Sequence, residues 1–447
     1  MKKYPQSFLF LIVIMAGFLG CNKSEEPMTA DLDVQNAEKG CYECHSDVEF
    51  LKKVAAPDTA HVVSEGGCGG ELPAMEAWEK VYVGGSGGAK FLSTVHGKIA
   101  CTGCHGGVEK ATKAKAHTGD FTAMPSLEAV ERCATCHDRI VAKYQKSLHF
   151  TGAGQKHMVS VRSTLGSYEQ WPELLKKGYD NNCGKCHATC GQCHIQRPKQ
   201  AGGGFLNGHE FKKSPDMRLN CTACHAARVA HAYIPETVGL QSDVHYLKLP
   251  GGQCTNCHTS DEIHGDGLSH TNRYQTDNMP KCIDCHSSKS NSNAFHTTHW
   301  NNMTCNVCHS QDYNNCGSCH VDDGAAKGPY TGFKIGLNPI KEQRPYKFVT
   351  LRLTPGHPNT FSNYGVAVFQ NFDSNPTYKY SSPHNILRKT KRTQVDAGKA
   401  CYDNCHIING KNKEIYLFDS NLEAWEKNAN KNVVVDGKLP AGWVLGN

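Results

Sequence analysis

Ten copies of Cys-x-x-Cys-His punctuate the chain, opened by Cys41, Cys101, Cys133, Cys183, Cys190, Cys221, Cys254, Cys282, Cys305 and Cys316. Their second cysteines are Cys44, Cys104, Cys136, Cys186, Cys193, Cys224, Cys257, Cys285, Cys308 and Cys319. The histidines that follow are His45, His105, His137, His187, His194, His225, His258, His286, His309 and His320. An eleventh, wider unit reads Cys401-Tyr402-Asp403-Asn404-Cys405-His406. Disulfides do not require a histidine after every second cysteine. Paired zinc knuckles give no reason for it either, and a thioredoxin-like site needs one motif, not ten. Covalent haem c uses all three residues: each thiol adds to a vinyl group, and the histidine gives the proximal nitrogen to iron. Positions i, i+3 and i+4 share one face of a helical turn, so one short helix presents both sulfurs and the imidazole. Eleven haems are expected, with a disulfide between Cys401 and Cys405 as the alternative at the wider motif.

Haem iron takes a second axial ligand, and its identity sets the chemistry. Of 25 histidines, eleven are proximal, which leaves fourteen. His96, His117, His149, His209, His231, His245, His264, His296, His299, His357 and His384 are the distal candidates, with His61, His157 and His270 as spares. Two imidazoles saturate the iron and give low potentials, which favours conduction over substrate conversion. In CGKCHATCGQCH (183–194) only Ala188 and Thr189 separate two motifs, so their haems must lie nearly in contact.

What positions these groups is an unusual chain. Leu, Ile, Val and Phe number 83 of 447 residues, below the roughly 20% at which chains struggle to build a core. Mean hydropathy is −0.52. Stacked haems are therefore the expected interior, held by short α-helices in a mostly irregular fold, with the 43 glycines permitting tight turns. Ten motifs occupy residues 41–320 as a ten-haem core; residues 401–447 carry the eleventh motif and a C-terminal tail. The motif-free stretch 321–400 alternates like strands in FKIGL (333–337), YKFVTLRL (346–353) and YGVAVF (364–369). It predicts a small antiparallel β element near residues 330–370 that returns His357 and His384 to the array. The basic run LRKTKR (387–392) reads as a solvated face, or as counter-charge for haem propionates or an acidic partner.

Residues 1–20 read as a signal peptide, with Lys2 and Lys3 before the apolar FLFLIVIMAGFLG. Cys21 follows at the cut, as in a lipobox, so a lipid anchor is expected there, with plain secretion as the alternative; residues 21–40 form a flexible tether. The formal charge of +6 falls to about −7 in the oxidised holoprotein once the leader is removed and haem charges are counted. The basic sequence therefore gives no argument for nucleic acid as a partner.

The ten motifs and the lipobox-like Cys21 resemble the bacterial multihaem c-type cytochromes. That resemblance implies an exported lipoprotein of the outer membrane, on its periplasmic or cell-surface face. It would carry electrons between other redox proteins or cytochromes and, outside the cell, metal oxides. STVHGKIACTGCHGG and SSPHNILRK are also similar to segments of the octahaem tetrathionate reductase and hydroxylamine oxidoreductase group, although eleven motifs depart from its eight. The rival expectation is thus an enzyme acting on a small nitrogen or sulfur oxyanion at one open haem. Cys68, alone in GGCGG, is its candidate catalytic residue, against a plain loop thiol. A structural subunit of a haem filament would share every feature of the carrier.

Overall fold

The computed structural model describes residues 37–56, 75–184, 188–198, 202–234, 240–290, 292–315, 330–354 and 356–446. The leader, Cys21, most of the tether, His61, Cys68, Cys186, His187, Cys316, Cys319 and His320 lie outside the described residues. No helix among those described is long and apolar enough to cross a membrane.

Five of the nine fully described motifs fold as one α-helical turn: Cys41–His45, Cys101–His105, Cys190–His194, Cys282–His286 and Cys305–His309. The second variable residue of a motif helps to start that turn, because it occupies the third helical position. There Glu43, Gln192 and Asp284 accept from the backbone N–H of Gly40, Thr189 and Lys281 at 3.2, 3.0 and 2.8 Å, capping an otherwise orphaned donor. Asp403 does the same for Ala400 at 3.0 Å in the wider motif. Lys39, at the end of the expected tether, already belongs to the body: it bridges to Ala111 and pairs with Asp47 at 2.8 Å.

The buried aliphatic residues gather mostly after the ninth motif. Strands β1 (Tyr313–Asn315) and β2 (Tyr330–Gly332) pair antiparallel. β3 (Lys334–Leu337), β4 (Phe348–Leu353) and β5 (Tyr378–Tyr380) form an antiparallel sheet with β4 in the middle. β4 is buried along nearly its whole length because both its faces are covered. Phe348 joins Ile335, Tyr416, Val435 and Trp443 in one cluster, while Val349, Leu351 and Leu353 join Tyr378, Leu417 and Val433 in another. Gly336 lets the layers approach: a Cβ there would stand 2.2 Å from Leu351 Cδ1 and 2.6 Å from the Val433 carbonyl oxygen. β6 (Ile407–Ile408) and β7 (Val444–Leu445) close the tail in parallel.

The third strand of the main sheet is Tyr378–Tyr380, not the expected 364–369. Gly365 at φ +83° turns the chain there, and Phe361 and Phe369 pack instead on Trp171, Leu175 and Tyr179 of the helix Glu173–Asn182 and its approach. The basic run is only partly solvated. Arg388, Lys389 and Lys391 are exposed, but Arg392 is buried over the Phe333 ring at 3.8 Å and donates to the carbonyls of Val307 and Ser310.

Candidate haem sites

A metal–imidazole nitrogen bond of about 2.0 Å, with the ring centroid about 1.1 Å behind that nitrogen, separates two trans ligands' centroids by roughly 6.2 Å. All nine described motif histidines meet a non-motif histidine near this distance. His45–His117, His96–His137, His105–His209, His149–His225 and His194–His264 stand at 6.1, 6.0, 6.0, 6.1 and 6.1 Å. His245–His286, His258–His384, His296–His309 and His299–His406 stand at 6.2, 6.2, 6.1 and 6.5 Å. The wider motif joins the same pattern, and both Cys401 and Cys405 are free thiols. Among the described residues no group of three or more His, Cys, Asp or Glu could hold a metal ion by itself. A porphyrin brings its own four equatorial nitrogens and asks the protein for two axial ones, so the residues present fit haem better than a bare ion.

The hydrogen bonds point the same way. Nδ1 of His45, His105, His117, His194, His299 and His309 faces the backbone carbonyls of Val81, Thr122, Lys113, Lys212, Phe295 and Leu387 at 2.7–3.2 Å. A carbonyl only accepts, so Nδ1 carries the proton and Nε2 keeps its lone pair for a metal. Burial pushes His209, His225 and His384 down to about 4, which holds these rings neutral. Burial, assisted by the Glu109 side chain, pushes the Cys41 thiol up to about 12, and burial takes Cys308 to about 12 as well. These two sulfurs are thus held as thiols.

The distal rings come from unexpected places. His96 lies five residues before Cys101 yet meets His137 of the next motif. His117 follows the second motif and meets the first; His209 follows the fifth and meets the second. His384, from the turn after β5, reaches the seventh motif. His299 and His406 both lie against the Trp443 indole, at 6.1 and 5.7 Å. His357 packs on Trp425 at 4.6 Å, and His231 opens the short helix His231–Tyr233; neither is brought to a described motif histidine. Of the spares, His270 binds Asp266 through Nε2 at 2.8 Å, engaging the nitrogen a metal would need. His157 lies beside Lys379, whose cation opposes protonation of the ring after burial does.

Neighbouring motifs influence one another in chain order. The thiol of Cys101 acts on Cys41, and both Cys104 and Cys190 act on Cys133. Cys193 acts on Cys221, which hydrogen-bonds Cys254; that bond raises Cys221 and lowers Cys254. Cys285 acts on Cys257, Cys282 hydrogen-bonds Cys305, and Cys405 acts on Cys308. The nine described motifs therefore form an unbroken succession of near neighbours. Sequence spacing signalled such crowding at the fourth and fifth motifs.

Residues 132–226 match the family model for cytochrome c554 and c-prime. The matched segment runs from the Cys133 motif through the Cys221 motif and so holds four of the eleven. No curated protein and no solved structure matches the chain. The family match supports a c-type cytochrome: a haem-based electron-transfer protein that binds haem c and its iron.

Proposed function

We propose that the chain carries eleven haems, each held by two imidazoles, and relays electrons along them in chain order between redox partners. One observation carries this reading: nine motif histidines each face a second histidine at 6.0–6.5 Å. Bound there, haem c supplies a one-electron iron couple. The chain's own residues do the rest. Paired cysteines fix each attachment point, Nδ1 partners fix each ring, and contacts between successive motifs keep the attachment points adjacent. His231 and His357 are the distal ligands left for the two motifs whose histidines are His187 and His320. The leader and Cys21 support export and lipid anchoring at the outer membrane, with partner cytochromes or extracellular metal oxides as donors and acceptors. The oxyanion-reductase alternative needs an open iron position, whereas each described pair brings two rings. Haem stoichiometry from denatured absorbance, together with the room-temperature spectrum, tests the reading. Eleven haems per chain, all low-spin, are expected; a stoichiometric high-spin haem in the native protein would favour the enzyme.

A further inference from the structure

Two of the nine ring pairs differ from the rest in what holds them. Nδ1 of His258, in the seventh motif, faces the Glu262 carboxylate at 2.8 and 3.1 Å. Nδ1 of His245, which meets His286 of the eighth motif, faces Asp243 Oδ1 at 2.8 Å. Among the described residues no other ring of the nine pairs bonds a carboxylate. His296 bonds the Lys289 carbonyl and the Ser292 hydroxyl, and Nδ1 of His209 is buried without a hydrogen-bond partner, boxed by Phe91 and Phe205 at 4.5 and 4.9 Å. The two carboxylate-held pairs are also consecutive, since Cys285 lies close enough to Cys257 to act on it.

Asp243 is no ordinary surface acid. It is 2% exposed, and it accepts from the backbone N–H of His245 and of Ile386 at 2.7 Å each. Ile386 lies two residues after His384, and its carbonyl accepts from Val244 at 2.9 Å. One carboxylate thus orients His245 and pins the segment that carries the His384 ring to the seventh motif. Glu262 is held on the helix Ser260–Ile263, four residues beyond His258, so one turn of chain sets the bond.

An anion bonded to the outer nitrogen of a ligating imidazole draws its proton away and makes the ring a stronger donor. A stronger donor, and the negative charge itself, stabilise ferric over ferrous iron and so lower the reduction potential. The Arg273 cation acts on His258, His225 and His384 in the opposite direction, without a hydrogen bond to any of them. The carboxylate in direct contact dominates.

We propose that Glu262 and Asp243 are positioning residues that depress the potentials of the haems at Cys254 and Cys282, making these two consecutive sites the low point among the nine described ones. The inference rests on the relay reading and adds an uphill step to it: electrons must climb onto this pair from either side. Current then depends on the driving force of the donor, not only on spacing.

The test is a potentiometric titration of the haem-loaded full chain, followed by EPR and absorbance, with Glu262→Gln. Glutamine keeps an acceptor for Nδ1–H and removes the charge, so a merely structural role would leave potentials unmoved. The component belonging to the Cys254 site, identified as the low-spin signal lost in His384→Ala, should rise by about tenfold in its one-electron equilibrium, about 59 mV. Haem count and spin state should stay as in the parent. Asp243→Asn should raise a second low component in the same way; if its lost backbone bonds prevent folding, Glu262→Gln remains decisive. An unchanged titration with full haem content overturns the tuning and leaves the relay standing. A parent chain without haem at Cys254 or Cys282 overturns the relay, and the tuning with it.

Discussion

Replacing His384 by alanine isolates the assumption on which every site stands, that the facing non-motif ring is an iron ligand. His384 lies 6.2 Å from His258 with the rings inclined by 25°, and burial keeps it neutral at any physiological pH. Removing it takes away one of two axial nitrogens at one site and leaves Cys254, Cys257 and His258 untouched. One iron in eleven, about 9% of the total, should become high-spin, with the remainder unchanged. Added imidazole should restore the low-spin spectrum by filling the space the ring leaves. His270→Ala is the matched control, because that ring spends its Nε2 on Asp266 at 2.8 Å and faces no described motif histidine. Room-temperature absorbance and EPR on equal haem concentrations read both variants. A fully low-spin His384→Ala protein, or an equal high-spin fraction in His270→Ala, would refute the ligand assignment.

Cys401→Ser with Cys405→Ser should lower the intact mass by one haem while the other motifs stay loaded; an unchanged haem count would show that the wider motif attaches none. Leu351→Ala, in the fully covered middle strand, should cost about 2–5 kcal/mol by loss of burial and cavity formation, read as a lowered Tm with haem content intact. A change within error would mean the sheet is not the principal aliphatic core.

The motifs made the cofactor class legible, and the surplus of histidines over motifs pointed to paired imidazoles, nine pairs of which the structure brings to 6.0–6.5 Å. The pairing was not, because proximity along the chain misleads here. His96 precedes Cys101 closely, yet its own helical segment, His96–Lys98, turns it toward His137. His299 lies six residues before Cys305 but meets His406, a hundred residues on. The sheet was read correctly where alternation coincided with burial, at Ile335 and through β4. It was misread at 364–369, where Tyr364, Val366 and Val368 alternate around Gly365 in a turn. The short strand 378–380 carries too little pattern to announce itself, since its role is set by pairing Tyr378 and Tyr380 to Leu353 and Leu351. Arg392 looked solvated because charge runs usually are; its burial follows from carbonyls at Val307 and Ser310 that no local sequence shows.

Crossed ligation has a consequence for how such a chain holds its shape. Apart from His296–His309, the expected sites join segments that are not neighbours in sequence: the first motif to the stretch after the second, the fifth to the stretch after the seventh, the seventh to the turn after β5. A shared metal at each pair closes a loop, and closing loops removes conformational freedom from the unfolded chain much as a cross-link does. Outside the C-terminal sheet and the helices at 153–182, the described apolar clusters are small, the Met217, Ala230 and Ile234 group being one. On the proposed ligation the motif region would draw its order from shared metal sites, whereas the sheet draws its order from Leu351, Ile335 and their neighbours. His384 and His406 are carried on segments anchored to that sheet, so the aliphatic core fixes two rings of the array directly. Adjacent motif cysteines then set the order of sites, and distal histidines set their spin state. Losing one distal ring should alter one iron without breaking the succession, because the succession is written in the cysteines.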